Sequence, residues 1–293
     1  MNNLKRVGLA TGVLTDNEID YIDTQVTKTV YPLLVGRTLM PTRILPHAGF
    51  KNYTYFTEND MSQANISMTG EEQSMDRVDL NETEVKIPII SKNYHLNWRD
   101  VLMRRNNGED LNTQNAQNAA RQIAEEEDKL ILTGEYTGWP ALGIEGMATA
   151  TGRNTTGGGD WSANFITYVA AAKALLRADG YFGPYKLILN STWYGQLEAL
   201  VGTTDRFGFQ VLGDLLGGEQ NIVVSDSLYT AAGGTDNALV VSNEPGNFEL
   251  LVGQDISNYL AQLPTMNYQG KVWEAVAPVI KRPESICEIT SLT

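Results

Sequence analysis

The residues of this chain that could do chemistry are few, and each has a plain structural reading. They are His47 and His95, the single Cys287, the carboxylate run Glu125-Glu126-Glu127-Asp128, and the triple glycine Gly157-Gly158-Gly159. Acid–base or nucleophilic catalysis needs a histidine beside a carboxylate, serine or cysteine. Neither histidine stands in such a context, and His95, within Tyr94-His95-Leu96-Asn97-Trp98, reads as a packing or hydrogen-bonding residue. One cysteine cannot close an intramolecular disulfide, and no Cys/His cluster has zinc-ligand spacing. In Ser285-Ile286-Cys287-Glu288-Ile289, an expected strand, it reads as a small core residue. The triple glycine lacks the Lys-Ser/Thr of a phosphate loop and reads as a flexible connection. Consecutive carboxylates on a helix point in different directions, so Glu125 to Asp128 do not converge on a metal. They read as a solvated helix face or as one side of an intersubunit ion pair.

A second acidic stretch is more suggestive of contact than of catalysis. Glu58, Asp60, Glu71, Glu72, Asp76 and Asp79 face only Arg77, and they lack the ordered spacing of a calcium loop. The charge imbalance predicts that this stretch meets basic residues of a neighbouring subunit, with Arg37, Arg43, Arg99, Arg104 and Arg105 as candidates. No catalytic, metal or cofactor-binding residue is expected, and no cofactor.

Composition narrows the class. With 293 residues and 42% apolar content, the chain can bury a sizeable core as one large or two intimate domains. There is no run of about 18 apolar residues, so no spanning helix or membrane partner is expected. The N-terminus carries Lys5 and Arg6 without the apolar run of a secretory signal, which predicts a protein kept inside the cell. The sites at Asn52, Asn65, Asn81, Asn154 and Asn190 then read as chance matches to the glycosylation pattern. Lys and Arg number 22 against 35 Asp and Glu, a formal charge of −13. That argues against coating nucleic acid with the whole surface, without fixing the sign of any one face.

The elements follow from periodicity. Thr15-Asp16-Asn17-Glu18 resembles a capping box, and Ile19, Ile22, Val26 and Val30 give the following helix one apolar stripe. Segments 52–56 and 82–90 read as strands flanking the acidic stretch, a long hairpin projecting from the body. Asn97 can cap a short helix. A long helix over about 112–132 carries Ala116, Ala119, Ala120, Ile123, Ala124, Leu130 and Ile131 inward, with Arg121 to Lys129 on a charged outer face. A further helix starts near Ser162. Strands are expected at 185–189, 221–224, 238–242, 247–252, 271–278 and 285–289, with helices at 191–201 and 207–216. This mixture implies an α/β subdomain around a central sheet.

The long helix leading into Thr133-Gly134-Glu135 and Gly143-Ile144-Glu145-Gly146, the block Gly183-Pro184-Tyr185-Lys186-Leu187-Ile188-Leu189, and the block from Gly246 to Asp255 come in an order that resembles the tailed-phage capsid fold. This Hong Kong 97-type α+β fold is shared by phage major capsid proteins and encapsulins. The resemblance covers about residues 15–290. It implies an N-terminal arm and helix at 1–48, an extended hairpin loop at 49–90 and a peripheral domain with a spine helix at 91–145. An axial domain follows at 146–255, and return strands of the peripheral domain at 256–293. The reading taken first is a viral major capsid protein, self-assembling in hexamers and pentamers, with packaged double-stranded DNA and with portal, scaffolding or decoration proteins. It would act in the virion after assembly in the host cytoplasm. The alternative is an encapsulin shell that encloses cargo enzymes through their tails. A reading from another class, an α/β hydrolytic or binding enzyme, rests only on the mixed topology.

Overall fold

The computed structural model describes residues 14–30, 34–47, 49–58, 61–64, 66–68, 77–107, 110–134, 142–202, 205–228, 234 and 236–293. Helix α1 spans Asp16–Val30. Its capping box forms: the Thr15 N–H donates to Glu18 Oε2 at 2.7 Å, and the Glu18 N–H donates to Thr15 Oγ1 at 3.4 Å. Ile22, Val26 and Val30 are buried and Ile19 packs beside them, so the stripe faces the core. A 3₁₀ turn at Gly36–Thr38 and strand β1 (Thr42–Ile44) lead to β2 (Asn52–Glu58), β3 (Leu80–Lys86) and β4 (Ile89–Leu96). Helix α2 (Trp98–Asn107) starts where Asn97 Oδ1 accepts the Arg99 N–H at 2.9 Å. Helix α3, the long one, spans Gln114–Thr133.

Two sheets organise the chain. The first has the order β1-β9-β10-β4, where β9 is Phe248–Gln262 and β10 is Tyr268–Ile280. Helices α1 and α3 pack over it, and Ala116, Ala120 and Ala124 let α3 approach closely. The second has the order β5-β11-β8-β6-β7: β5 is Asn154–Gly157, β6 Tyr185–Leu189, β7 Ile222–Val224, β8 Ala238–Ser242 and β11 Ile286–Thr290. Helices α4 (Trp161–Ala178), α5 (Ser191–Leu197) and α6 (Gly208–Leu216) cover it, with Trp161, Val169, Leu187 and Cys287 in a separate core. Burial pushes the Cys287 thiol up to about 12, which suits its reading as an inert core residue.

The structure departs from the sequence reading in several places. Strand β9 runs ten residues past the expected 252, because pairing with β10 holds its polar end, Asp255 to Asn258, in the ladder. Gly157, expected as part of a flexible connection, closes a strand instead: residues 154–157 form β5. They pair in parallel with β11, where Asn154 lies beside Cys287. Strand β11 belongs to the second sheet, so residues 256–293 are shared between the two sheets rather than returning to one domain. Glu127 and Asp128 are not solvated: they are 0% and 4% exposed. They lie four residues beyond the buried Ile123 and Ala124, and helical geometry puts them on the same face.

The glycine-rich turn after α3 has a steric basis. Residues 146–148 run back along the helix end, and the Met147 and Ala148 N–H groups donate to the carbonyls of Ile131 and Leu132 at 3.0 and 2.7 Å. They thereby satisfy acceptors that a helix terminus leaves open. Gly134 takes φ +72°, and a Cβ on Gly146 would stand 2.2 Å from the Gly134 nitrogen. Gly146→Ala is therefore expected to destabilise the fold by about 3 kcal/mol or more. Thermal denaturation checks this. A melting point within about 2 °C of the unsubstituted protein would remove the close-approach account.

Candidate assembly surface

Strands β2 and β3 form a two-stranded ladder of their own, from Asn52 opposite Lys86 to Glu58 opposite Leu80. Side chains alternate across such a ladder. Tyr53, Tyr55 and Val85 turn inward and pack on Leu45, Ile87, Leu251, Ala277 and Val279 of the body. The Tyr55 hydroxyl donates to the Ile280 carbonyl at 3.2 Å. On the other face Phe56 is 60% and Leu80 61% exposed. Beyond the ladder, Met61, Ile66 and Met68 are exposed as well. An isolated two-stranded ribbon is marginal in water, so apolar side chains on its open face mark a surface that another molecule covers.

The acidic candidates divide. Glu58 ends β2, while Asp60, Glu71, Glu72 and Asp76 lie outside the described residues. The basic candidates all have described contacts within their own chain. Arg43 donates to the Tyr53 hydroxyl at 2.6 Å and stays about half exposed at the hairpin base. Arg104 donates to the Asp110 carbonyl at 2.9 Å. Arg105 donates through Nε to Glu18 Oε1 at 2.6 Å and also binds Glu18 Oε2, tying α2 to the start of α1. That pairing holds the Glu18 carboxyl below the usual carboxylate range. Arg99 lies over the Trp98 ring.

Arg37 is committed most deeply. Its side chain is 14% exposed and forms a fork on Glu127 of α3, with Nε to Oε1 at 2.7 Å and Nη2 to Oε2 at 3.1 Å. Nη1 donates to Asp255 of β9 at 2.8 Å, and Nη2 donates to Glu274 of β10 at 3.2 Å. Burial works against the guanidinium charge, yet the bonds to Glu127 and Asp255 outweigh it and raise the pKa further. Beside this cluster Asp128 accepts from the Gly36 and Val35 N–H groups at 2.8 and 3.2 Å. Burial still pushes its carboxyl up to about 6. This network is the feature that sequence reasoning missed; the four-residue spacing from Ile123 and Ala124 was the available signal.

The two histidines are apart from any such network. His47 stacks on Phe50 at 4.4 Å between ring centres, and its Nδ1 accepts the Gly49 N–H at 3.1 Å. His95 lies exposed on β4. Among the described residues no group of three or more His, Cys, Asp or Glu side chains could hold a metal ion.

A chain of this size with two interlocked sheets, a spine helix and an uncovered hairpin can be compared with known proteins as a whole. The family model for encapsulating protein for peroxidase matches residues 1–277. The chain belongs to that family. The chain is 29% identical over 288 residues to the type 1 encapsulin shell protein EncA of Myxococcus xanthus, covering 97% of this chain and 96% of that one. It is 34% identical over 139 residues to a type 1 encapsulin shell protein of Rhodospirillum rubrum, covering 47% of this chain and 45% of that one. Among solved structures, a virus-like particle from Pyrococcus furiosus matches with TM-score 0.64 at 16% identity, over 92% of this chain and 98% of that one. The capsid of Myoviridae phage XM1 matches with TM-score 0.67 at 11% identity, over 90% and 92%. These likenesses show the tailed-phage capsid fold. The family match and these likenesses make the chain a structural, shell-forming protein.

Replacing both Phe56 and Leu80 by Asp is expected to abolish association while leaving the subunit folded. Analytical ultracentrifugation with circular dichroism checks this, and large particles from the double variant would show that the open hairpin face is not an assembly contact.

Proposed function

We propose that this chain is the shell subunit of a closed protein compartment that encloses cargo enzymes. The observation that carries the reading is the family match along residues 1–277, whose description names a peroxidase as what is enclosed. The near full-length similarity to EncA supports it. Copies of the chain are its main partner, associating in pentamers and hexamers, and tails of cargo enzymes are the second. A hairpin with an apolar open face suits this role, since it gains stability only when a neighbour covers it.

The viral-capsid reading, with packaged double-stranded DNA, a portal and a virion as its place, draws on the likeness to phage capsids at low identity. That likeness carries the fold and leaves the contents open. The acidic stretch at Glu71 and Glu72 serves in either version as a contact for basic residues of the neighbouring subunit.

Negative-stain electron microscopy of the protein expressed alone is expected to show closed shells whose ultraviolet absorbance is that of protein. Co-expression with a peroxidase that carries a candidate cargo tail should yield filled shells. Particles from the native source that contain genomic DNA would reverse the order of the two readings. Reversing the charges at Glu71 and Glu72 to Lys should reduce shell yield at low salt, with a smaller effect at high salt as screening grows. Unchanged yield at low salt would remove the acidic stretch from the interface.

A further inference from the structure

Three carboxylates converge on one guanidinium in the cluster around Arg37, and only one of them is open to water. Asp255 is 49% exposed, whereas the Glu127 and Glu274 side chains are 0% exposed. Oxygens of both buried groups accept from the same nitrogen, Nη2 of Arg37, at 3.1 and 3.2 Å. The two carboxyls thus crowd one donor. Like charges gathered at one buried site favour a proton on one of them. Glu274 Oε1 is buried and accepts no hydrogen bond from any described residue.

The groups facing Glu274 can be taken element by element. The 3₁₀ turn supplies Arg37, α3 supplies Glu127 with Asp128 beside it, and β9 supplies Asp255. Strand β4 places Ile90 opposite Glu274 in the ladder. The β9–β10 register shifts between Trp273 and Ala275, an irregularity at Glu274 itself. With both buried glutamates ionised, two enclosed negative charges would face one guanidinium, with the buried Asp128 alongside on its own backbone donors. A proton on Glu274 leaves one glutamate charge on Arg37, and burial favours that state.

We propose that Glu274 holds a proton in the closed fold, and that loss of this proton releases the turn Gly36–Thr38 from helix α3. The cluster is thus an alkali-sensitive latch on the segment joining α1 to β1. The same turn also receives Lys186 of β6, whose Nζ donates to the Thr38 carbonyl at 2.7 Å, so the latch bears on both sheets.

The direction follows from linkage. Burial first, and the Glu127 charge second, raise the Glu274 carboxyl above its ordinary value. A group that holds its proton more tightly when closed stabilises the closed form fully below its ordinary value and progressively less as pH rises toward the raised one. Opening releases one proton, so the opening constant grows about tenfold per pH unit across that window.

Hydrogen exchange on assembled protein, followed at residues 34–38 and α1 from about pH 6 to 10 and corrected for intrinsic exchange, tests this. The expected result is a rise of about tenfold per pH unit in the unsubstituted protein and a flat profile in Glu274→Gln. An equal slope in both would overturn the latch. Should Glu274→Gln fail to fold, Glu127→Gln removes the neighbouring charge and should end the rise at a lower pH, while an unchanged profile would overturn the latch. Infrared spectroscopy of the unsubstituted protein needs no variant. A protonated carboxylic acid stretch at neutral pH that vanishes in alkali is expected, and its absence at neutral pH would sink the proposal.

Discussion

Burial of the second half of helix α3 is the constraint on which the N-terminal half of the molecule depends. Leu130, Ile131 and Leu132 are fully enclosed there, and so is Glu127, with Asp128 nearly so. An enclosed carboxylate has to find donors or lose its charge. The chain answers with one short turn: the backbone of Val35 and Gly36 serves Asp128, and the Arg37 side chain serves Glu127. Satisfying the helix therefore fixes where the segment after α1 must lie. Gly36 fits because even a methyl group there would press on Ile131, at 2.7 Å. The polar contacts of α1 then follow, with Glu18 on Arg105 and with Asp23 accepting from Asn258, which itself accepts the Tyr94 hydroxyl.

The hairpin obeys the opposite logic. Its inner face is spent on the body through Tyr53, Tyr55 and Val85, while Phe56 and Leu80 remain in water. Under the proposed shell role, a second copy that covers these side chains would couple fold stability to assembly by mass action. The body can tolerate this because its two cores, one under α3 and one under α4, are enclosed without help from the hairpin tip.

Much of this was legible from residue spacing. The stripe of α1, the alanines of α3, the start of α4 near Ser162 and the central strands of the second sheet all carry clear periodicity. The polar end of β9 was not legible, since Asp255 to Asn258 are strand only because β10 lies alongside. Strand β4 carried a period-two signal in Tyr94 and Leu96 that polar neighbours obscured. Glu127 and Asp128 were misplaced because charge was read as exposure, although position four beyond a core residue argued otherwise. The choice between shell types was illegible for a deeper reason: both types share one subunit architecture, and a fold does not fix what a shell holds.

The strand order has a consequence for how the chain comes to be folded. In the first sheet β10 sits between β9 and β4, and in the second β11 sits between β5 and β8. Each sheet thus has an interior position filled by one of the two strands furthest along the chain among the described residues. Parallel pairing of Thr42 with Leu250 adds a closure spanning most of the chain. Contacts so distant in sequence form slowly, because the intervening segment must be gathered first. Neither sheet is therefore complete until residues from 268 onward have joined it. The hairpin's inner face, which packs on Leu251, Ala277 and Val279, finds its support only after that long-range closure.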